Sequence, residues 1–431
     1  MTDDDLRDTF GDELTEALRI RSRLRASTEV PVAVLSQVPR RRTRRRLLTA
    51  TLAVALVASA ATVIAFRSPA TTTGVRVATS PSSTARPTAM APSVEARTGV
   101  ADWTWVSAVQ GWALVRKRCG ETVCMSLHAT DNGGLSWTTV PTPELLDTSA
   151  QHSVGMTCAT HLCVSGVRFA TTRIGWLFGP TFLQTTDGGR RWTRMPGPAV
   201  IDVEASQGVA VRLTATDWDA CGGGCTSHIE RTRLDAGSWR PVSTPAFGTS
   251  SLIILGSDVY LVSVPNPGRA GHAELRRSTD AGKTWAEMID PCTGGSNDHI
   301  ATSASAAPDG VFVVLCSARQ QPMSPFVRIS TDGGTTFGPR RPVPLNDFGV
   351  VRAASAQTLA VGYSTNSANG VLVSDDQGAT WRAAFRPPLT ASDLVTLGWE
   401  DSTTARVSFS SDTIWTTRNA GLDWTGNQVT P

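Results

Sequence analysis

The 431-residue sequence predicts an all-β fold, a β-propeller of about seven four-stranded antiparallel blades, from two observations. First, one short string recurs six times: Thr130–Trp137 (TDNGGLSW), Thr185–Trp192 (TTDGGRRW), Ser278–Trp285 (STDAGKTW), Ser330–Phe337 (STDGGTTF), Ser374–Trp381 (SDDQGATW) and Thr417–Trp424 (TRNAGLDW). A seventh copy, Thr232–Trp239 (TRLDAGSW), is damaged, its Asp and Gly displaced by one step. Second, the seven closing aromatics stand 55, 47, 46, 52, 44 and 43 residues apart. A recurrence of about 40–50 residues is the length a four-stranded blade takes. Seven aromatics argue for seven blades over residues 99–431. The damaged copy, and chain ends that could share a blade, leave six or eight open.

The common frame is Ser/Thr-x-Asp/Asn-x-Gly-x-x-Trp/Phe. Its fixed positions are Asn132, Gly134 and Trp137; Asp187, Gly189 and Trp192; Asp280, Gly282 and Trp285; Asp332, Gly334 and Phe337; Asp376, Gly378 and Trp381; and Asn419, Gly421 and Trp424. An Asp or Asn side chain can accept backbone N–H groups two or three residues on. The Gly can take positive φ and reverse the chain tightly. The aromatic then opens the next strand and buries apolar area between neighbouring units. These residues are read as structural staples, none of them catalytic. The strings resemble the Asp box, or BNR repeat, of sialidases, sortilin-type receptors and the propellers that assist photosystem assembly. That resemblance implies a hairpin turn on the outer part of a blade, usually away from the ligand face.

Ahead of the propeller lie three segments. In residues 1–46, Leu6, Phe10, Leu14 and Leu18 fall on one helical stripe. Asp3, Asp4 and Asp5 stand near its start and Arg19, Arg21, Arg23 and Arg25 near its end, as the helix dipole favours. This is a cytoplasmic tail, its helix either a plain juxtamembrane segment or a docking element for a regulator. The arginines of Arg40–Arg46 precede Leu47–Phe66, twenty residues without a charge. At 1.5 Å per residue such a helix crosses a hydrocarbon core of about 30 Å. The Arg cluster orients the span with its N-terminal side in the cytoplasm and touches anionic lipid headgroups. Ala58-Ser59-Ala60 resembles a cleavage site, but the 46-residue leader is too long for a signal peptide, and a retained anchor is expected. Residues 67–98, rich in Ser, Thr, Pro and Ala, form an extended stalk.

The formal charge of +3 carries no message for the propeller. The excess lies in residues 1–46, with eleven Arg against eight Asp and Glu; the remaining residues balance at 29 of each, so nucleic acid is not an expected partner. Within the propeller, Trp105–Val115 (WVSAVQGWALV) and Phe169–Phe178 (FATTRIGWLF) each read as strand, polar turn, Gly-Trp and strand, a repeat that resembles photosystem-assembly-type propellers more than catalytic sialidases. Val209–Leu213, Val259–Val264, Val311–Leu315, Leu359–Tyr363 and Ala405–Phe409 are the matching second strands of later blades.

All eight cysteines follow the apolar span, which suits an oxidising, extracytoplasmic compartment. Spacing suggests Cys119 with Cys124, Cys158 with Cys163, Cys221 with Cys225, and Cys292 with Cys316, although eight cysteines leave the connectivity open. Cys221 and Cys225 near Asp217, Asp219 and His228 could instead suggest a metal, but a structural zinc site wants four clustered ligands. No metal or cofactor is expected.

The sialidase machinery does not carry over. The Arg-Ile-Pro motif is missing; Arg328-Ile329-Ser330 runs into a box and reads as a strand. Of the two tyrosines, Tyr260 lies in an apolar strand, and Tyr363 sits near a loop with no Glu before Glu400. Asp217-Trp218-Asp219 and Asn297-Asp298-His299 are read as turn residues. The expected function is non-catalytic binding or assembly with an extracytoplasmic protein or glycan. A transmembrane sensor is one alternative. A divergent glycoside hydrolase is another, and it would need Arg and carboxylate side chains clustered on the channel.

Overall fold

Short β-branched runs punctuated by Gly- and Asx-bearing turns favour tight hairpins, and the computed structural model is a succession of them. It describes residues 98–120, 122–148, 158, 160–216, 218, 226–247, 249–264, 273–293, 299–318, 323–347, 349–365, 368–388 and 394–429. The tail, apolar span and stalk expected over residues 1–97 lie outside these residues; among those described, no helix is long and apolar enough to cross a membrane.

The chain is an all-β, seven-bladed propeller. Each blade is an antiparallel sheet whose strands follow chain order. Blade 1 comprises Gly99–Trp105, Gly111–Cys119, Thr122–Thr130 and Thr138–Asp147, with Cys163–Val164 added in parallel to the last. Blade 2 is Gly166–Phe169, Gly175–Phe178, Leu183–Thr185 and Thr193–Arg194. Blade 3 is Ala199–Ser206, Val209–Ala215, Thr226–Arg233 and Arg240–Phe247. Blade 4 is Thr249–Leu255, Asp258–Val264, Glu274–Ser278 and Ala286–Glu287. Blade 5 is His299–Ala307, Val311–Ala318, Phe326–Ser330 and Arg341–Pro342. Blade 6 is Gly349–Ala353, Leu359–Ser364, Asn369–Ser374 and Arg382–Phe385. Blade 7 is Leu394–Trp399, Ala405–Phe409, Thr413–Thr417 and Thr425–Gln428. First strands touch first strands from blade to blade and back to blade 1, so they form the inner ring.

All six recurrent strings are the turns between third and fourth strands. In each, the opening Ser or Thr hydroxyl donates to the Asp or Asn side chain and accepts the N–H of the Gly; in the fourth blade these bonds are both 2.8 Å. The Asp or Asn oxygen also accepts the N–H four residues on, as in Thr284 to Asp280, 2.9 Å, and Asp423 to Asn419, 2.9 Å. The carboxylate therefore reaches further than the two or three residues expected from its length alone. Burial alone would raise Asp280, but the N–H and hydroxyl groups around it hold its carboxyl down at about 2. The Thr380 hydroxyl and N–H do the same for Asp376, also at about 2.

A second bond repeats in every blade. The third-to-fourth turn donates a backbone N–H to a carbonyl in the first-to-second turn: Gly133 to Val109, Gly188 to Arg173, Leu234 to Gly208, Ala281 to Ser257, Gly333 to Gly310, Gln377 to Gln357 and Ala420 to Thr403. Both turns of every blade therefore lie at one end of the ring, called here the box end. The disulfides Cys119–Cys124, Cys158–Cys163 and Cys292–Cys316 all staple connections at the opposite end. Cys221 and Cys225 lie outside the described residues.

The core sits between blades. Seven hydrophobic clusters each span one pair of neighbours, and each takes in the box aromatic of one of them: Trp137, Trp192, Trp239, Trp285, Phe337, Trp381 or Trp424. Burying one such ring contributes on the order of 2 kcal/mol. The ring closes between blades 7 and 1 without a shared sheet. Val100 N–H donates to the Ser411 carbonyl at 2.9 Å, and the Trp103 indole donates to Ser408 Oγ at 3.0 Å. Fully buried Arg406 donates to the carbonyls of Gly133 and Ala108, at 3.0 and 3.1 Å, stacks over Trp105 at 3.4 Å and pairs with Glu400.

Candidate functional site

The inner ring is stitched by its own polar side chains. In blades 1, 3 and 5 the first strand bulges, between Val100 and Asp102, Val200 and Asp202, and Ala301 and Ser303. A bulge re-aims the side chain that follows it. Asp102 Oδ2 accepts the Val167 N–H of the next blade at 2.8 Å, Asp202 Oδ2 that of Leu252 at 2.8 Å, and Ser303 Oγ that of Val351 at 3.2 Å. Two residues on, Thr104 accepts from Phe169 at 3.4 Å and Ser305 from Ala353 at 3.0 Å.

These strands also gather five charges along the channel: Asp102, Arg168, Asp202, Glu204 and Arg352. Arg168 donates through Nη2 to Glu204 Oε1 at 3.0 Å and through Nε to the Val203 carbonyl at 3.2 Å. Arg352 is tied to the carbonyls of Val351 and Ala304. Burial pushes Asp102 and Asp202 above the usual carboxylate range, against the pull of Arg168 and of the N–H groups they accept. Burial also pushes Glu204 up to about 7; Arg168 opposes this, and Asp202 and Asp102 add to it. Burial would lower Arg168, but Glu204, Asp102 and Asp202 hold it above its ordinary value.

Glu204 and Arg168 open into a cavity of 460 Å³ at the box end of the channel. Four blades contribute. Blade 1 brings Trp105 and Ser107, blade 2 Arg168 and Phe169, blade 3 Glu204, and blade 7 Trp399, Glu400 and Asp401. Asp401 is exposed and accepts the N–H groups of Thr403 and Thr404, both at 2.7 Å, which lowers its carboxyl against the effect of burial. The cavity thus shares an end with the box turns, where the resemblance implied the opposite face.

Sequence reasoning singled out none of the channel charges. A signal was there: Val100-Ala101-Asp102 and Val200-Ile201-Asp202 both place an Asp two residues after a strand-opening Val, where alternation demands an apolar side chain. The tyrosines are core residues. Tyr260 stacks on Phe312, centroids 4.3 Å apart, and Tyr363 is packed into the cluster between blades 5 and 6 within a strand rather than near a loop. Arg328 ties the carbonyls of Pro291 and Phe337, both at 3.2 Å. His299 is buried against Phe326, while Asn297, Asp298, Asp217 and Asp219 lie outside the described residues. Among the described residues no three His, Cys, Asp or Glu are grouped to hold a metal.

No protein-family model and no curated protein matches the chain. Solved structures do. An ancestral GH74 enzyme is 12% identical, with a TM-score of 0.52 over 78% of this chain and 47% of that one. YCF48 from Cyanidioschyzon merolae is 15% identical, with a TM-score of 0.46 over 76% of this chain and 97% of that one. YCF48 bound to a D1 peptide is 15% identical, with a TM-score of 0.43 over 61% and 79%. At such identities the likeness to the GH74 enzyme concerns the propeller fold alone.

Proposed function

We propose that this chain is a membrane-anchored, extracytoplasmic binding or assembly module that takes a protein or glycan ligand at the box-end mouth of its propeller. The carrying observation is the mouth itself: a 460 Å³ cavity in which aromatic, hydroxyl and charged side chains of four blades converge. That volume is in the range of ligand sites, about 300–1,000 Å³. The three disulfides support an oxidising compartment. Residues 1–46 would then be cytoplasmic, 47–66 the span and 67–98 the stalk. The test is ligand capture by the full-length protein on glycan and peptide arrays. Trp399→Ala and Asp401→Asn should each weaken capture at least about tenfold while leaving the melting temperature within about 2 °C. Undiminished capture by both would sink the reading.

One observation favours a second reading, a glycoside hydrolase. Glu204, held protonated to about pH 7 beside other carboxylates, has the acidity of a general acid. Turnover of any arrayed glycan, abolished by Glu204→Gln, would establish it. Binding without turnover would exclude it for the glycans tested.

A further inference from the structure

We infer that the ligand taken at the mouth is a peptide segment that extends a lysine or arginine side chain down to Glu204; the inference rests on the mouth being the ligand site.

The argument is a balance of charge. The channel holds three carboxylates, Asp102, Asp202 and Glu204, against two guanidiniums, Arg168 and Arg352. A buried charge without a partner is strongly unfavourable. Asp102 and Asp202 each accept a backbone N–H of the next blade. Among the described contacts Glu204 has only Arg168, and its side chain remains 22% exposed toward the cavity. In the empty protein the missing positive charge is a proton, since burial and the two aspartates push Glu204 up to about 7. A ligand cation beside Glu204 supplies the same charge and releases that proton.

The rim points the same way. Glu400 and Asp401 add carboxylates from blade 7, and Arg168 is the one cation among the described lining residues. Arg406, which pairs with Glu400, lies beneath Trp105 and does not line the cavity. Trp399 offers a ring to a cation or to its aliphatic stem. Glu204 is recessed, so the cation must come on a long, flexible stem. A lysine or arginine side chain has one, whereas an amino sugar carries its ammonium directly on the ring.

The test uses full-length protein and an array of synthetic decapeptides. Each peptide is paired with a twin in which Lys is replaced by norleucine and Arg by citrulline, and amino-sugar oligosaccharides are run beside them. Charged peptides should bind at least about tenfold more tightly than their twins, and about tenfold more weakly at pH 6 than at pH 8, as displacement of one proton with pKa near 7 requires. Both differences should vanish in Glu204→Gln. Calorimetry of wild type in buffers of different ionisation enthalpy should show proton release on binding, which needs no variant. Equal binding of the twins, no proton release, or a preference for amino sugars overturns the inference. If Trp399→Ala still weakens whatever binds, the mouth survives as the ligand site. If it does not, both readings fall together.

Discussion

At the scale of single residues, the closing seam turns on one arginine. Three residues after the carbonyl that receives the box turn's N–H stand Trp112, Trp176, Val211, Tyr260, Val313, Ala360 and Arg406, one per blade. Six are apolar and face the following blade; only the seventh is charged. Removing its side chain leaves Glu400 and two carbonyls without their donor, so Arg406→Ala should destabilise the fold by about 3–5 kcal/mol. Arg406→Met with Glu400→Gln should lose less, and a chemical-denaturation series in which it loses more would refute this account. A second residue-scale effect is backbone strain. The position before each box Gly has positive φ: Gly occupies it in three boxes, but Ala281, Gln377 and Ala420 adopt 57°, 62° and 56°. A left-handed non-Gly residue costs about 1–2 kcal/mol, and Gly returns part of that as unfolded-state entropy. Ala281→Gly, Gln377→Gly and Ala420→Gly should therefore each stabilise by about 0.5–1 kcal/mol, read as a raised thermal midpoint.

At the scale of the element, the box was legible because its work is done by side chains at fixed spacing. Asp280, Gly282 and Trp285 announce a cap, a reversal and an aromatic plug. Two other bonds of the turn were not announced. The Ser278 hydroxyl bridges Asp280 and Gly282, yet the sequence shows only that Ser or Thr recurs. The bond from Ala281 to Ser257 joins backbone groups, which carry no residue signature. Blade 3 shows what the frame contributes. There Asp235 and Gly237 stand one step late, the Thr232 hydroxyl turns to the Arg233 carbonyl, and Asp235 pairs outward with Arg233 in an exposed bridge of little worth. Leu234→Asp with Asp235→Gly and Ala236→Gly restores the frame. The triple variant should gain about 1 kcal/mol and slow amide exchange at Ser238. Unchanged exchange would mean that the neighbouring blades, rather than the frame, dictate this turn.

At the scale of the whole molecule, aromatic spacing revealed the ring, while its channel stayed hidden. Asp102 and Glu204 are about 100 residues apart in sequence and meet only once seven sheets close, so no local pattern could pair them. Their meeting has a pH signature. Glu204 rises from an ordinary 4.5 to about 7, so its stabilisation is complete below pH 4.5 and is lost as pH climbs to 7. Asp280 and Asp376 fall from 3.8 to about 2, so theirs is present above pH 3.8 and is lost as pH drops toward 2. Stability should peak between about pH 4 and 5, and Glu204→Gln should flatten the decline from 5 to 7 in a melting-temperature profile. The seam has a further consequence, for descent rather than for chemistry. Every blade is one uninterrupted stretch of chain, and the last join is made by side chains and a backbone bond, with no strand lent from the other end. A gene duplication or deletion that begins and ends between blades would add or remove a whole link and leave every sheet intact. Only the new neighbours would need to learn to fit. Blade number in such a ring is a heritable variable, and the lone arginine at its clasp marks where this lineage settled on seven.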